Sequence, residues 1–340
     1  MIASSPIETP MRRILVPPDG LPVGLEVPDG EWLNLSGDAF GTTWRVDVVY
    51  GGDTPKDWLS QVQGQVEGVL EVIDAQMSLW RADSDIVRFN TAPNDGSFVL
   101  AEPMLQVVGH ALEIARLTDG AFDPSLCEAT ELWGFGARAV AADVPDMKDL
   151  QRERIDWRDV TLEGNIITAR SGLSLDLCAI AKGYGVDAVM ELLQSVVGAQ
   201  AALVEIGGEL KGWGLRPDGM PWWAALEGAE TETLAALCGW AVATSGDYRR
   251  SFTHEGRDYC HAIDPQTLSP VQTGVASVSV FDPLCWRADA LATAMMVMGR
   301  ERALAFADTH AIPCLLRCHA NGGQTENMSP ALQQWLDTDD

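Results

Sequence analysis

From Asp57 to Met77 the apolar residues Val62, Val66, Val69, Leu70, Ile73 and Met77 recur every three or four positions, which predicts an amphipathic helix with one face on a core. The same period runs from about Pro103 to Thr118, where Asp119-Gly120 supplies a stop. Alternation with period two takes over in TTWRVDVVY (42–50), a half-buried strand, and VTLEGNIITAR (160–170) reads as a hairpin turning at Glu163-Gly164-Asn165. Apolar alternation at 173–177 predicts a strand feeding a helix from about Ala179 to Val197. Strand-like runs follow at 201–206, 222–227, 240–244 and 275–281, with a second hairpin at Glu255-Gly256. A short polar helix is predicted at 143–155, and a long one from about Trp286 that breaks at Gly299 and resumes to about Asp308. Hairpins outnumber βαβ units, so the fold class is mixed α+β. The chain divides into an irregular arm (1–30) rich in Pro and Gly, a folded unit (31–320) without an internal linker, and an acidic tail (321–340).

Composition narrows the functions. At 340 residues, 46% hydrophobic, the chain is long enough for one large core or two closely associated lobes. Its net charge of −26 argues against nucleic acid as a partner. The seven cysteines are odd in number, widely spaced and lack a C-x-x-C pair, so neither a disulfide framework nor a zinc knuckle is expected. The first twenty residues hold four prolines and no apolar run, and no stretch elsewhere is long and apolar enough to span a membrane. These features together predict a cytoplasmic protein.

Three constellations carry candidate chemistry. In Asp176-Leu-Cys-Ala-Ile-Ala-Lys182 a carboxylate precedes a helix N-terminus with a lysine one turn in, which suits a phosphate or ribose; a plain turn with Asp capping the helix fits equally. Asp289 and Thr293 are four apart near a helix start, so their oxygens share a face that a hard cation would use; a dipole-stabilised Asp with a back-bonded Thr is the other reading. Thr244-Ser-Gly-Asp-Tyr-Arg249-Arg250 leads to His261, one of five histidines. That histidine is a candidate general base or a structural residue, and the two arginines are candidate phosphate partners or solvated surface.

Taken in order, these pieces resemble the ApbE family, the FAD:protein FMN transferases. The family's marks are Met-Ser-x-aromatic-Arg-x-Asp-Ser at 77–84, Gly-x-Phe-Asp at 120–123, Asp-Leu-x-x-Ile-Ala-Lys-Gly-Tyr at 176–184 and Ile-Gly-Gly at 206–208. Thr-Ser-Gly-Asp-Tyr-Arg with a following His-x-x-Asp-Pro (244–264) and Ala-Asp-Ala-x-Ala-Thr (288–293) complete the set, within a match from about Gly41 to Gly299.

The resemblance implies a T-fold-like α+β architecture of two lobes on a shared sheet-based core, with FAD in the groove between them. It implies FAD contacts at Phe40, Trp80, Ala121, Phe122, Asp123, Arg249 and Ala262, and at Asp176 and Lys182 for the adenosine and pyrophosphate. Mg²⁺ would sit on the Ala179 carbonyl, Asp289 and Thr293, and His261 would be the base, so that FMN passes from FAD to a Thr or Ser hydroxyl of an acceptor protein with release of AMP. The same residues also suit a metal-dependent FAD pyrophosphatase, and a non-catalytic flavin-binding protein is the third reading. The chain departs from the family at Trp80, where Tyr is usual, at Cys178 and Ala179, which replace small Gly-like residues, and at Glu205 and Glu209, where Asn and Asp are common. Many relatives are exported lipoproteins, and this sequence shows neither the signal nor the lipidated Cys.

Overall fold

The computed structural model describes residues 11–18, 26–52, 55–92, 97–138, 143–146, 156–226, 231–248, 250–320 and 323–336. Helices are α1 (Trp58–Met77), α2 (Asp85–Thr91), α3 (Glu102–Leu117), α4 (Cys127–Leu132), α5 (Cys178–Ser195), α6 (Cys285–Thr309) and α7 (Pro330–Gln333). The main sheet holds eight strands: Glu31–Ala39, Thr42–Tyr50, Ala199–Ile206, Glu209–Trp213, Ala241–Gly246, Val275–Asp282, Cys314–Ala320 and Gly323–Met328. They lie in the sheet in the order in which they occur in the chain, each antiparallel to the next. Such a meander needs no crossover, and the helices enter as excursions from it.

Both faces of the sheet are covered. Val275–Asp282 is buried at every position because alternate residues serve different layers. Val278 and Val280 join a core with α3 and α6, whereas Phe281 joins Leu15, Trp222, Leu332 and Trp335 on the opposite face. α1 and α5 pack on the strands Thr42–Tyr50 and Ala199–Ile206 through Val62, Val66, Val186 and Val189. The opposite face is covered by a small sheet in which Met11–Leu15 pairs parallel with Thr231–Leu237, itself antiparallel to Trp222–Leu226.

The predicted helices at 57–77, 103–118 and 179–197 are present, as is the break in α6, where Gly299 takes φ 73° and ψ 169°. The Thr273 hydroxyl donates to the Met296 carbonyl at 3.1 Å, satisfying an acceptor that the interrupted helix leaves over. Three expectations need correction. The arm is not irregular throughout, since Leu15 is fully buried and pulls Met11–Leu15 into the fold. The tail contributes α7 and the buried Trp335. Residues 173–177 form no strand: Leu177 already turns into α5 with φ −106° and ψ 9°, and Leu175 is bracketed by a side chain, Asn90 Nδ2 donating to its carbonyl (2.9 Å) and its amide donating to Asn90 Oδ1 (2.7 Å). Most of the predicted 143–155 helix lies outside the described residues. Among the described residues no helix is long and apolar enough to cross a membrane.

Candidate active site

Two glycine contacts bring α5 to its neighbours. A Cβ at Gly183 would lie 2.5 Å from the Cys285 carbonyl oxygen, so only glycine lets α5 and α6 approach this closely. A Cβ at Gly185 would meet the Phe40 ring at 2.9 Å. Phe40 and Gly41 form the two-residue turn between Glu31–Ala39 and Thr42–Tyr50 with φ of 55° and 71°. A bulky residue in the left-handed region is strained, and Phe40 is held there by packing on both adjoining cores.

The close approach of α5 and α6 assembles an ionic cluster. Lys182 Nζ lies 3.0 Å from Glu209 Oε1 and 3.4 and 3.5 Å from the two oxygens of Asp289. Both carboxyl groups are buried, Glu209 being 1% and Asp289 3% exposed. The Gly183 amide, which a regular helix would pair with the Ala179 carbonyl, donates to Asp289 Oδ2 at 3.1 Å. One turn along α6, the Thr293 hydroxyl shares a hydrogen bond of 3.1 Å with Ser245, on the strand Ala241–Gly246. Next to them the Cys285 thiol is pushed well above its ordinary pKa, by burial first and then by the carboxylates of Asp187, Asp289 and Glu209.

This donor set fits magnesium. Among the described residues no three His, Cys, Asp or Glu side chains gather into a ligand group. Mg²⁺ does not need one, because it takes one or two carboxylates and completes its shell with water and substrate phosphates. Two carboxyl groups facing one ammonium also leave a charge deficit that a divalent ion would reverse.

At the start of α5, Asp176 Oδ1 accepts from the Cys178 amide at 2.9 Å, and the Asp176 amide donates to the Pro124 carbonyl at 2.8 Å. The second bond ties α5 to the loop after α3. In that loop Ala121 and Phe122 are buried, the Phe122 amide donating to the Thr118 hydroxyl. Asp123 accepts from the Ser125 amide (2.8 Å) and hydroxyl (2.6 Å), yet burial outweighs these donors and raises its pKa. Gly120 and Asp123 line a cleft of about 330 Å³ with Asp156, Trp157, Arg158 and Gln266.

A third group lies at the open end of the hairpin Ser251–His254/Arg257–Cys260. The Arg250 carbonyl accepts from the His261 amide at 3.0 Å and lies 3.3 Å from His261 Nδ1. Since a carbonyl only accepts, Nδ1 carries the proton and Nε2 is the basic nitrogen. The Arg250 guanidinium lies 5.9 Å from the centre of the Trp80 ring, which is 56% exposed. Ala262 holds the strand end through its carbonyl, which accepts from Val271.

Of the residues predicted from sequence, Lys182, Asp289 and Thr293 fall in one cluster at the α5–α6 junction that also includes Glu209. Asp176 links the start of α5 to the Asp123 loop, Phe40 packs against α5, and Arg250 joins Trp80 to His261. Arg249 lies outside the described residues. Glu209, Asn90, Ser245 and Arg250 were not singled out for these roles; for Glu209 the only signal is a carboxylate directly after Gly207-Gly208.

The ApbE family profile matches residues 40–316. An FAD:protein FMN transferase of Vibrio cholerae is 37% identical over 321 residues, covering 92% of this chain and 95% of the relative. One from Haemophilus influenzae is 32% identical over 322 residues, covering 90% and 92%. The crystal structure of Pseudomonas stutzeri flavinyl transferase ApbE in its apo form superposes with a TM-score of 0.85 at 34% identity, over 92% of this chain and 98% of that one. Flavin transferase ApbE from Vibrio cholerae superposes with a TM-score of 0.81 at 36% identity, over 90% of this chain and 100% of that one.

Proposed function

Because this chain belongs to the ApbE family and is by that membership a flavin transferase, we propose that it moves the FMN part of FAD onto a Thr or Ser hydroxyl of an acceptor protein, with Mg²⁺ bound and AMP as the leaving group. The observation that carries this reading is the partly exposed Lys182 ammonium set against the buried carboxyl groups of Glu209 and Asp289, an arrangement that suits a cation and a phosphate anion together.

In the proposed step the acceptor oxygen bonds to the FMN phosphorus as the bond from that phosphorus to the AMP oxygen breaks, in line. The hydroxyl proton passes to Nε2 of His261, an assignment supported by the Nδ1 contact with the Arg250 carbonyl. Lys182 supplies positive charge to the pyrophosphate. Asp176 orders the first turn of α5, and the exposed Trp80 ring offers a stacking plane for the substrate. Mg²⁺, held by the Asp289 carboxylate, the Thr293 hydroxyl and the Ala179 carbonyl, would neutralise charge on the pyrophosphate as a Lewis acid. The compartment we propose is the cytoplasm, supported by seven free thiols; recovery from the periplasm on fractionation overturns that assignment.

The test supplies FAD, Mg²⁺ and a protein bearing an Asp-x-x-Ser/Thr-Gly-Ala-Thr segment. Intact mass should show the acceptor gaining FMN in step with AMP release, and the gain should vanish when the acceptor Thr becomes Val. Free FMN and AMP with an unmodified acceptor would make the protein a pyrophosphatase, and no consumption of FAD would leave a flavin-binding protein.

A further inference from the structure

We infer that Lys182 is a resident counter-cation that exchanges between two carboxylates, and that Glu209 is the positioning residue that draws it off Asp289 when a divalent ion binds there. This rests on the magnesium reading of Asp289 given above.

The geometry carries the argument. Lys182 is shared unequally, at 3.0 Å from Glu209 but 3.4 and 3.5 Å from Asp289. Glu209 begins a strand in the middle of the main sheet and cannot move far, whereas the lysine is about one quarter exposed on a four-carbon stem. Asp289 does not depend on the lysine for its orientation, because the Gly183 amide also holds Oδ2. The ammonium can therefore leave while the carboxylate stays aimed.

Charge decides the direction of exchange. Without a metal, one ammonium serves two carboxylates; a divalent ion on Asp289 would repel an ammonium on the same group. Glu209 gives that ammonium a second site within the same contact, so metal entry requires no expulsion of Lys182 into solvent. In the loaded state Lys182–Glu209 is a neutral pair beside a cationic centre, a disposition suited to a pyrophosphate.

Glu209 thus acts on the metal mainly through Lys182, and a double-mutant cycle isolates that path. By calorimetric titration with MgCl₂ on the intact FAD-free chain, Glu209→Gln should weaken Mg²⁺ binding by about tenfold, as loss of an orienting partner does. Lys182→Gln should strengthen Mg²⁺ binding, and in that background Glu209→Gln should weaken it clearly less than in the parent. Equal weakening by Glu209→Gln in both backgrounds overturns the inference, because Glu209 would then ligate the ion directly; unchanged affinity in Glu209→Gln overturns it as well. Asp289→Asn is the separate control: affinity equal to the parent's removes the metal from Asp289, and with it the premise. Lys182→Gln leaves two buried carboxyl groups without their ammonium and should melt lower, recovering more in Mg²⁺ than the parent does. If it does not fold, the order parent, Glu209→Asp, Glu209→Gln in falling affinity tests the same point, and any other order overturns it.

Discussion

His261 enters the site with its tautomer already chosen, since the Arg250 carbonyl can only accept from Nδ1. His261→Ala should therefore lower turnover by about 10²–10⁴-fold while FAD affinity, read by flavin fluorescence, changes little. A parallel collapse of affinity would make His261 a binding residue. Trp80 is exposed and lies beneath Arg250, so Trp80→Ala should act in the opposite manner, weakening FAD binding by about 1 kcal/mol with kcat nearly kept. At this scale the sequence was informative where a motif surrounds the residue, as with Lys182 and Asp289. It marked Glu209 only as a carboxylate after two glycines and gave no partner for it, because the sheet rather than the local chain brings that carboxyl to a lysine 27 positions away. Two adjacent arginines gave no means of telling which one faces the indole; the described one, Arg250, does.

Among the elements, the α5–α6 contact depends on a missing methyl group. Gly183→Ala would put a Cβ 2.5 Å from the Cys285 carbonyl, and the helices must separate or bend. A loss of about 1–3 kcal/mol in urea unfolding is expected, together with weakened Mg²⁺ binding, because Asp289 takes the Gly183 amide. A variant of unchanged stability would mean that the helices shift without penalty. Helices with a single buried face were legible from their period, and so was the break at Gly299. Cys314–Ala320 was not, since its first five residues are buried without alternation. Gly323–Met328 was not either: it is a polar strand at the sheet edge, with no apolar face to announce it. Asp85–Thr91 is too short to show a period, although Ser84 caps it by accepting from the Val87 amide.

For the molecule as a whole, the N-terminal strand is fastened to the far edge of the main sheet by charge. Arg13 and Arg317 both bond Glu326, at 2.7 and 2.9 Å. Burial pushes the Glu326 pKa up, but the two guanidinium groups outweigh it and hold the carboxyl below its ordinary 4.5. A depressed folded pKa gives stability that is complete above 4.5 and is lost as pH falls through the lower folded value. Melting curves of the parent and Glu326→Gln should accordingly differ most above pH 4.5 and converge in acid; a constant offset at every pH would show that the charge contributes nothing. The sequential order of the main sheet has a kinetic consequence. Hairpin neighbours in the sheet can pair early as the chain emerges, but Lys182 and Asp289 are 107 residues apart and, like Thr42–Tyr50 with its partner Ala199–Ile206, meet only after a long excursion of the chain has closed. The Lys182–Asp289 contact is therefore a late product of folding. Dissolved Mg²⁺ should leave the refolding rate almost untouched and slow unfolding instead, since it has nothing to grip until the last contacts have closed.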